Sequence, residues 1–152
     1  MLVSAYRRLM ALALPERHMV NRFIARSLAA AAADGGRCLD IGAGTAPFAS
    51  ALAAAVPGLE YVAIDRIAND TTDVIADATT LPFETDSAAL TCFFQVLSHL
   101  PSPVAALREA RRVLRPDGLL LLTYPLLCPQ GRSMDLWRWT RTGMEALLEE
   151  AG

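Results

Sequence analysis

The stretch LDIGAGTAPFA, residues 39 to 49, decides the fold of this 152-residue chain. Leu39 and Ile41 are strand formers, Asp40 lies at the strand's carboxyl end, and Gly42 and Gly44 form a turn where the backbone can approach a ligand that any Cβ would push away. A helix is predicted to follow over residues 46 to 56, its first N–H groups free to face that ligand. Strand, glycine turn and helix in this order make the junction at which α/β proteins bind nucleotide-like cofactors, although a Gly-Ala-Gly turn also serves as a plain tight connection. A dinucleotide fingerprint places a third glycine at position 47, where this chain has Pro47, a helix-start residue.

Outward from that turn the pattern repeats. Met19, Val20, Phe23, Ile24 and Leu28 recur at helical spacing, so residues 16 to 33 read as an amphipathic helix packed over the cofactor side of the sheet. EYVAID, residues 60 to 65, is the second strand, and DVIAD, residues 73 to 77, is a short third. A parallel crossover normally needs about a dozen residues, so the few between them must form a stretched loop or a single turn. Residues 88 to 94 read as a buried parallel strand, residues 104 to 114 as a helix opened by Pro103, and LLLLTY as a fifth strand after the turn Arg115-Pro116-Asp117-Gly118. Thr140 caps a last helix. The expected fold is α/β, a doubly wound Rossmann-like parallel sheet in one domain over residues 1 to 152: a helical segment (1 to 36), a cofactor-binding core (37 to 125), and a loop with the last helix (126 to 152).

Composition narrows the function classes. Hydrophobic residues make up 53% of the chain, enough for one sizeable core, and the net charge of −2 offers no basic surface for nucleic acid. The arginine pairs Arg7-Arg8 and Arg111-Arg112 read as solvated helix faces. Cys38, Cys92 and Cys128 lack metal-ligand spacing and read as reduced core residues. The apolar run over residues 9 to 14 is too short for a signal peptide, and residues 119 to 128 are too few to span a membrane, so a soluble cytoplasmic protein is expected.

Asp40, Asp65, Asp77 and Gln95 all fall at predicted strand ends, where the ligand crevice of such a sheet lies. Asp65 follows the glycine turn by about twenty residues, the place of a carboxylate that accepts from ribose hydroxyls. Its other reading is a cap on the short connection, and a ribose contact would serve NAD and S-adenosyl-L-methionine alike.

The order Asp40, Gly42, Gly44 resembles motif I of the class I S-adenosylmethionine-dependent methyltransferases, with Ala46 at the pattern's last glycine. ADATTLPFETDSAAL, residues 76 to 90, is similar to a run common in type 11 methyltransferases, although Ala88 and Ala89 replace its usual Phe-Asp. QVLSHLPSPVAALREARRVLRPDGLLLLTYP, residues 95 to 125, matches that family at greatest length, and DLWRWTRTGMEALLEEAG, residues 135 to 152, resembles a segment of some members. The resemblance implies S-adenosyl-L-methionine as cofactor, held by Asp40, Gly42, Ala43, Gly44, Asp65, Arg66, Asp77, Ala78, Phe94 and Gln95, with Asp77 facing the adenine amino group and Ala78 the ring. It places His99 near the acceptor as a candidate base, its other reading being a local hydrogen bond, and Asp135, Arg138 and Trp139 at the substrate crevice, where the tryptophans also read as packing.

Relatives continue past this point with an antiparallel strand pair, which is missing here. If the chain is complete, the fifth strand is expected to expose an apolar edge through which it forms a homodimer or aggregates; the other expectation is that the chain is a truncated product. The leading expectation is methyl transfer to a small-molecule or glycan-like acceptor. The alternatives are a cofactor-binding fragment or regulatory subunit that needs a partner, and a nicotinamide oxidoreductase, disfavoured by Pro47 and by the Asp77-Ala78 match.

Overall fold

A computed structural model describes residues 15–30, 35–126 and 134–152. Its elements are α1 (Pro15–Ala30), β1 (Gly36–Ile41), α2 (Ala49–Ala55), β2 (Leu59–Asp65), β3 (Val74–Ile75), β4 (Ala88–Phe94), a 3-10 turn (Leu97–His99), α3 (Pro103–Val113), β5 (Leu114–Thr123) and α4 (Arg141–Ala151). The strands form a wholly parallel sheet in the order β3-β2-β1-β4-β5. From central β1 the chain winds out to β3, then crosses back to β4 on the other side. The order therefore reverses between β1 and β4, which sets the ligand crevice at their carboxyl ends.

Both faces of the sheet are covered, as the apolar strand runs demand. Cys38, Leu90, Cys92, Phe94 and Leu121 pack with Val20, Ile24 and Leu28 of α1 and Leu52 of α2. Leu39, Ile41, Ile64 and Phe93 pack with Leu107 and Val113 of α3 and Met144 of α4. Each fully buried side chain of this size contributes about 1.5–3 kcal/mol, so alternation along β1 and β4 builds two half-cores on one backbone. Cys38 and Cys92 are free and buried, their Sγ atoms 3.9 Å apart, and burial pushes the Cys92 thiol up. Cys128, Arg7 and Arg8 lie outside the described residues.

Several boundaries differ from the expectation. Helix α2 begins at Ala49, not residue 46, because Ala46 has a left-handed backbone (φ +49°) that no helix start accepts. Strand β3 keeps only two residues, and Asp77 instead bridges Thr80. Strand β5 starts at Leu114 directly after α3, and Arg115 to Gly118 is an irregularity within it: Leu114 pairs with Ala88 and Leu119 with Leu90. The β2–β3 connection is the predicted loop, braced by Asp73, whose Oδ2 accepts from Ala63 N at 2.8 Å. The predicted caps are in place, with Pro103 opening α3 and Thr140 Oγ1 accepting from Gly143 N at 3.1 Å.

Arg112 corrects the reading of a solvated arginine pair. Its guanidinium donates to Leu81 O (3.1 Å), Phe83 O (2.9 Å) and Glu109, while Glu109 Oε1 accepts from Leu81 N at 2.8 Å. This pair clamps the Leu81–Phe83 loop onto α3, and the pairing holds the Glu109 carboxyl below its usual range. Among the described residues β5 has β4 on one side and no strand on the other, and no helix is long and apolar enough to cross a membrane.

Candidate cofactor site

A cavity of about 1000 Å³ opens at the carboxyl ends of the strands. Of the glycine turn after β1, Gly42 lines this cavity. Gly42 (φ +76°) and Gly44 (φ +55°) occupy left-handed backbone, and Gly42 N and Ala43 N both donate to Ile64 O, at 2.8 and 3.0 Å. A Cβ at Gly42 would lie 2.6 Å from Val96 Cγ1, whereas one at Gly44 would meet nothing within 4 Å. Gly42 is thus required by crowding as well as by φ, and Gly44 by φ alone.

The β2 end pins this turn from the side. Asp65 Oδ2 accepts from Gly44 N at 2.9 Å and Oδ1 from Ile67 N at 3.0 Å. Gly44 O in turn accepts from Asn69 Nδ2 and Thr71 Oγ1, each at 2.9 Å. Asp65 therefore does cap the connection, yet it lines the cavity, and each oxygen keeps a lone pair for a further donor. Asp40 sits deeper, 2% exposed and outside the cavity lining, with Tyr61 Oη donating to its Oδ2 at 2.7 Å. Burial pushes its carboxyl up to about 6, against the Tyr61 hydrogen bond and with help from the Asp65 charge.

Asp77, Ala78 and Thr79 form the wall beyond β3. Thr79 donates to Asp77 Oδ1 through its hydroxyl at 2.6 Å and its backbone N–H at 2.8 Å, and these bonds hold the Asp77 carboxyl below its usual range. At the end of β4, Phe94 packs on Phe48 with ring centroids 4.9 Å apart. Gln95 follows with a left-handed backbone (φ +62°), fixed by Gln95 N to Thr123 O at 3.1 Å and by Nε2 to Thr123 Oγ1 at 3.2 Å. A non-glycine residue in that region costs of the order of 1 kcal/mol or more and often marks a functional site.

The far wall carries His99 and Asp135. His99 Nδ1 lies 3.1 Å from Met134 O, and since a carbonyl only accepts, Nδ1 carries the proton and Nε2 of the neutral ring is the acceptor. Asp135 forms a two-pronged ion pair with Arg138, which holds its carboxyl below its usual range. Ser98 O accepts from Leu136 N at 2.8 Å and so ties this loop to the 3-10 turn.

The cavity thus gathers Gly42, Asp65, Arg66, Asp77, Ala78, Phe94, Gln95, His99 and Asp135. It does not gather Asp40, Ala43, Gly44, Arg138 or Trp139. Trp139, expected at the substrate crevice, is buried in the core against the α3–α4 side, edge-on to Tyr124. Among the lining residues that the sequence did not single out are Arg17 and Ser98. Arg17 stands in a helix noticed only for its apolar stripe, and Ser98 carries a buried hydroxyl with no hydrogen-bond partner among the described residues. No metal-binding cluster occurs among the described residues.

These donors and acceptors suit an adenosine-bearing cofactor. Asp65 offers lone pairs to vicinal hydroxyls, Asp77 offers an ionised acceptor to an amino group, and the turn leaves open space above Gly44. A doubly wound parallel sheet with its crevice at the carboxyl ends of the strands is a Rossmann-like fold. The chain belongs to the methyltransferase-domain family, whose model matches residues 14–146, and its fold is that of the class I S-adenosylmethionine-dependent methyltransferases.

Similar proteins agree. A malonyl-acyl-carrier-protein O-methyltransferase from Alcanivorax borkumensis is 32% identical over 115 residues, covering 66% of this chain and 38% of that protein. The PH0226 protein of Pyrococcus horikoshii superposes with TM-score 0.68 at 19% identity, over 91% of this chain and 84% of that one. Phosphoethanolamine N-methyltransferase 2 of Haemonchus contortus, solved with phosphomonomethylethanolamine and S-adenosylhomocysteine, gives TM-score 0.62 at 18% identity, over 78% of this chain and 33% of that one. The chain spans about two fifths of the length of the curated relatives it matches.

Proposed function

We propose that this chain binds S-adenosyl-L-methionine in the cavity and serves methyl transfer to a small-molecule or glycan-like acceptor in the cytoplasm. The observation that carries the reading is the convergence of Asp65, Asp77 and Gln95, from the ends of β2, β3 and β4, on one cavity above the glycine turn. The S-adenosylhomocysteine held by the Haemonchus contortus enzyme supports the same cofactor here.

In this reading Asp65 accepts from the ribose hydroxyls, with Arg66 beside it. Asp77 accepts from the adenine amino group, and Ala78 and Phe94 border the ring system. Gln95 and Gly42 border the sulfonium, while Asp40, Ala43 and Gly44 act from within and below the turn by fixing its shape. The bound cofactor supplies an electrophilic methyl group. The protein supplies in-line positioning, worth several kcal/mol, and a water-poor wall made by Val96, Leu100 and Pro125. His99 Nε2 takes a proton from the acceptor if that acceptor carries one. Asp135 meets the acceptor, Arg138 orients Asp135, and Trp139 supports the loop from the core.

Calorimetric titration with S-adenosylhomocysteine and with NAD tests the cofactor. Micromolar binding of the first and none of the second is expected, and the reverse result sinks the reading. A screen with a labelled methyl donor tests transfer itself. Failure of every acceptor beside intact cofactor binding would favour a subunit that needs a partner.

The β5 edge supports one further part of this proposal, association of two copies through that strand. Sedimentation is expected to show a dimer, and a monodisperse monomer contradicts it.

A further inference from the structure

Resting on the methyl-transfer reading, we propose that the far wall of the cavity receives an acceptor whose reacting group is a hydrogen-bond donor, a hydroxyl or an amine, and turns carboxylates away, with Asp135 setting that preference.

The discriminating side chains of this wall present lone pairs. His99 lines the cavity with its Nδ1 bound to Met134 O at 3.1 Å, so the ring nitrogen left for a ligand is Nε2, an acceptor in the neutral ring. Asp135 also lines the cavity, its side chain only 5% exposed, whereas its partner Arg138 does not. The two-pronged pair keeps Asp135 ionised and takes one lone pair from each oxygen, which leaves one on each for a further donor. His99 stands close enough to act on that charge. The Ser98 and Ser102 hydroxyls both donate and accept, so they do not discriminate.

Charge placement disfavours the opposite ligand. Among the described residues, the arginines that line the cavity are Arg17, bound to Pro47 O at the exit of the glycine turn, and Arg66, beside Asp65 at the end of β2. Neither belongs to the far wall. The remaining lining there is apolar, from Val96, Leu100, Pro101, Pro125 and Met134. A carboxylate seated among these side chains loses water, gains no cation and faces the Asp135 oxygens, whereas a hydroxyl or amine donates to them.

The test reads the two histidine ring signals of the whole chain by NMR, with His99→Gln identifying which belongs to His99 and which to His18. Benzyl alcohol, benzylamine and benzoate share one ring and differ at the polar group. Each is titrated with and without S-adenosylhomocysteine. Both donors are expected to shift the His99 signal at concentrations about tenfold below benzoate, the scale of one mismatched hydrogen bond to a charged group. Asp135→Asn removes the anion and frees Arg138, so benzoate should gain about tenfold relative to benzyl alcohol. Arg138→Ala removes the counter-ion instead and should widen the gap between benzylamine and benzoate. Benzoate binding as tightly as either donor, or no probe reaching His99, overturns the inference, and a preference unchanged by both substitutions overturns the role of Asp135. Absence of S-adenosylhomocysteine binding sinks the methyl-transfer reading separately, since the order of the probes is read without that ligand as well.

Discussion

Asp65 holds the backbone N–H of Gly44 at 2.9 Å, so the carboxylate offered to the cofactor also fixes the turn that receives it. Binding and local structure are therefore linked through one side chain. Asp65→Asn keeps the shape but replaces an oxygen that accepts from Gly44 N or Ile67 N with an amide donor. The variant is expected to lose about 1 kcal/mol of stability and more than tenfold in S-adenosylhomocysteine affinity. Calorimetry together with urea unfolding checks both. Unchanged affinity at reduced stability would reduce Asp65 to a cap.

Gly42 tests crowding at the turn. An added methyl would lie 2.6 Å from Val96 Cγ1, on a residue already at φ +76°. Gly42→Ala is expected to destabilise by about 2–3 kcal/mol, from steric conflict plus left-handed strain. Adding Val96→Ala should restore only the steric share, so the double variant falls between the two. Full recovery would mean that strain at Gly42 is negligible.

Much of the fold was legible because it rests on local pattern. Ala88 to Phe94 is apolar but for Thr91, Pro103 and Thr140 mark helix starts, and the glycine turn closes β1; all appear where the residues place them. Legibility failed where a tertiary partner sets the geometry. Nothing near Ala46 announces its left-handed backbone, which follows from a turn held by Ile64 and Asp65 on another strand. Arg112 resembles any helix-surface arginine until Leu81 and Phe83 arrive beneath it. The strand-end acids were visible as a set. Arg17 was not, because its position at the cavity depends on how α1 packs against α2.

Gln95 stores strain at the cavity edge. With φ at +62°, it is held by two bonds to Thr123, one from its backbone and one from its amide. Gln95→Ala keeps the strain and loses the amide bond, while Gln95→Gly loses the bond and the strain together. Melting should therefore rank Gly at or above Gln, and Ala below by about 1 kcal/mol, with cofactor affinity reduced in both variants. An alanine variant as stable as the glycine one would remove strain from the explanation.

Asp40 makes stability depend on pH in a direction opposite to the usual acid. Its carboxyl is raised from 3.8 to about 6, chiefly by burial, with Tyr61 donating against the shift and Asp65 adding to it. The folded state therefore binds this proton more tightly than the unfolded chain. The resulting stability is fully present below about pH 4 and is lost as the pH rises through about 6. The gap between 3.8 and about 6 corresponds to on the order of 3 kcal/mol. Asp40→Asn has no proton to lose, and its side-chain oxygen still accepts from Tyr61. Relative to the unsubstituted chain, this variant should therefore gain stability steadily between pH 4 and 6 and keep the gain at pH 7. Chemical unfolding of both proteins across that range measures the difference directly. A difference flat with pH would mean that Asp40 is solvated well enough to ionise normally, and a difference of opposite sign would mean that Tyr61 outweighs burial.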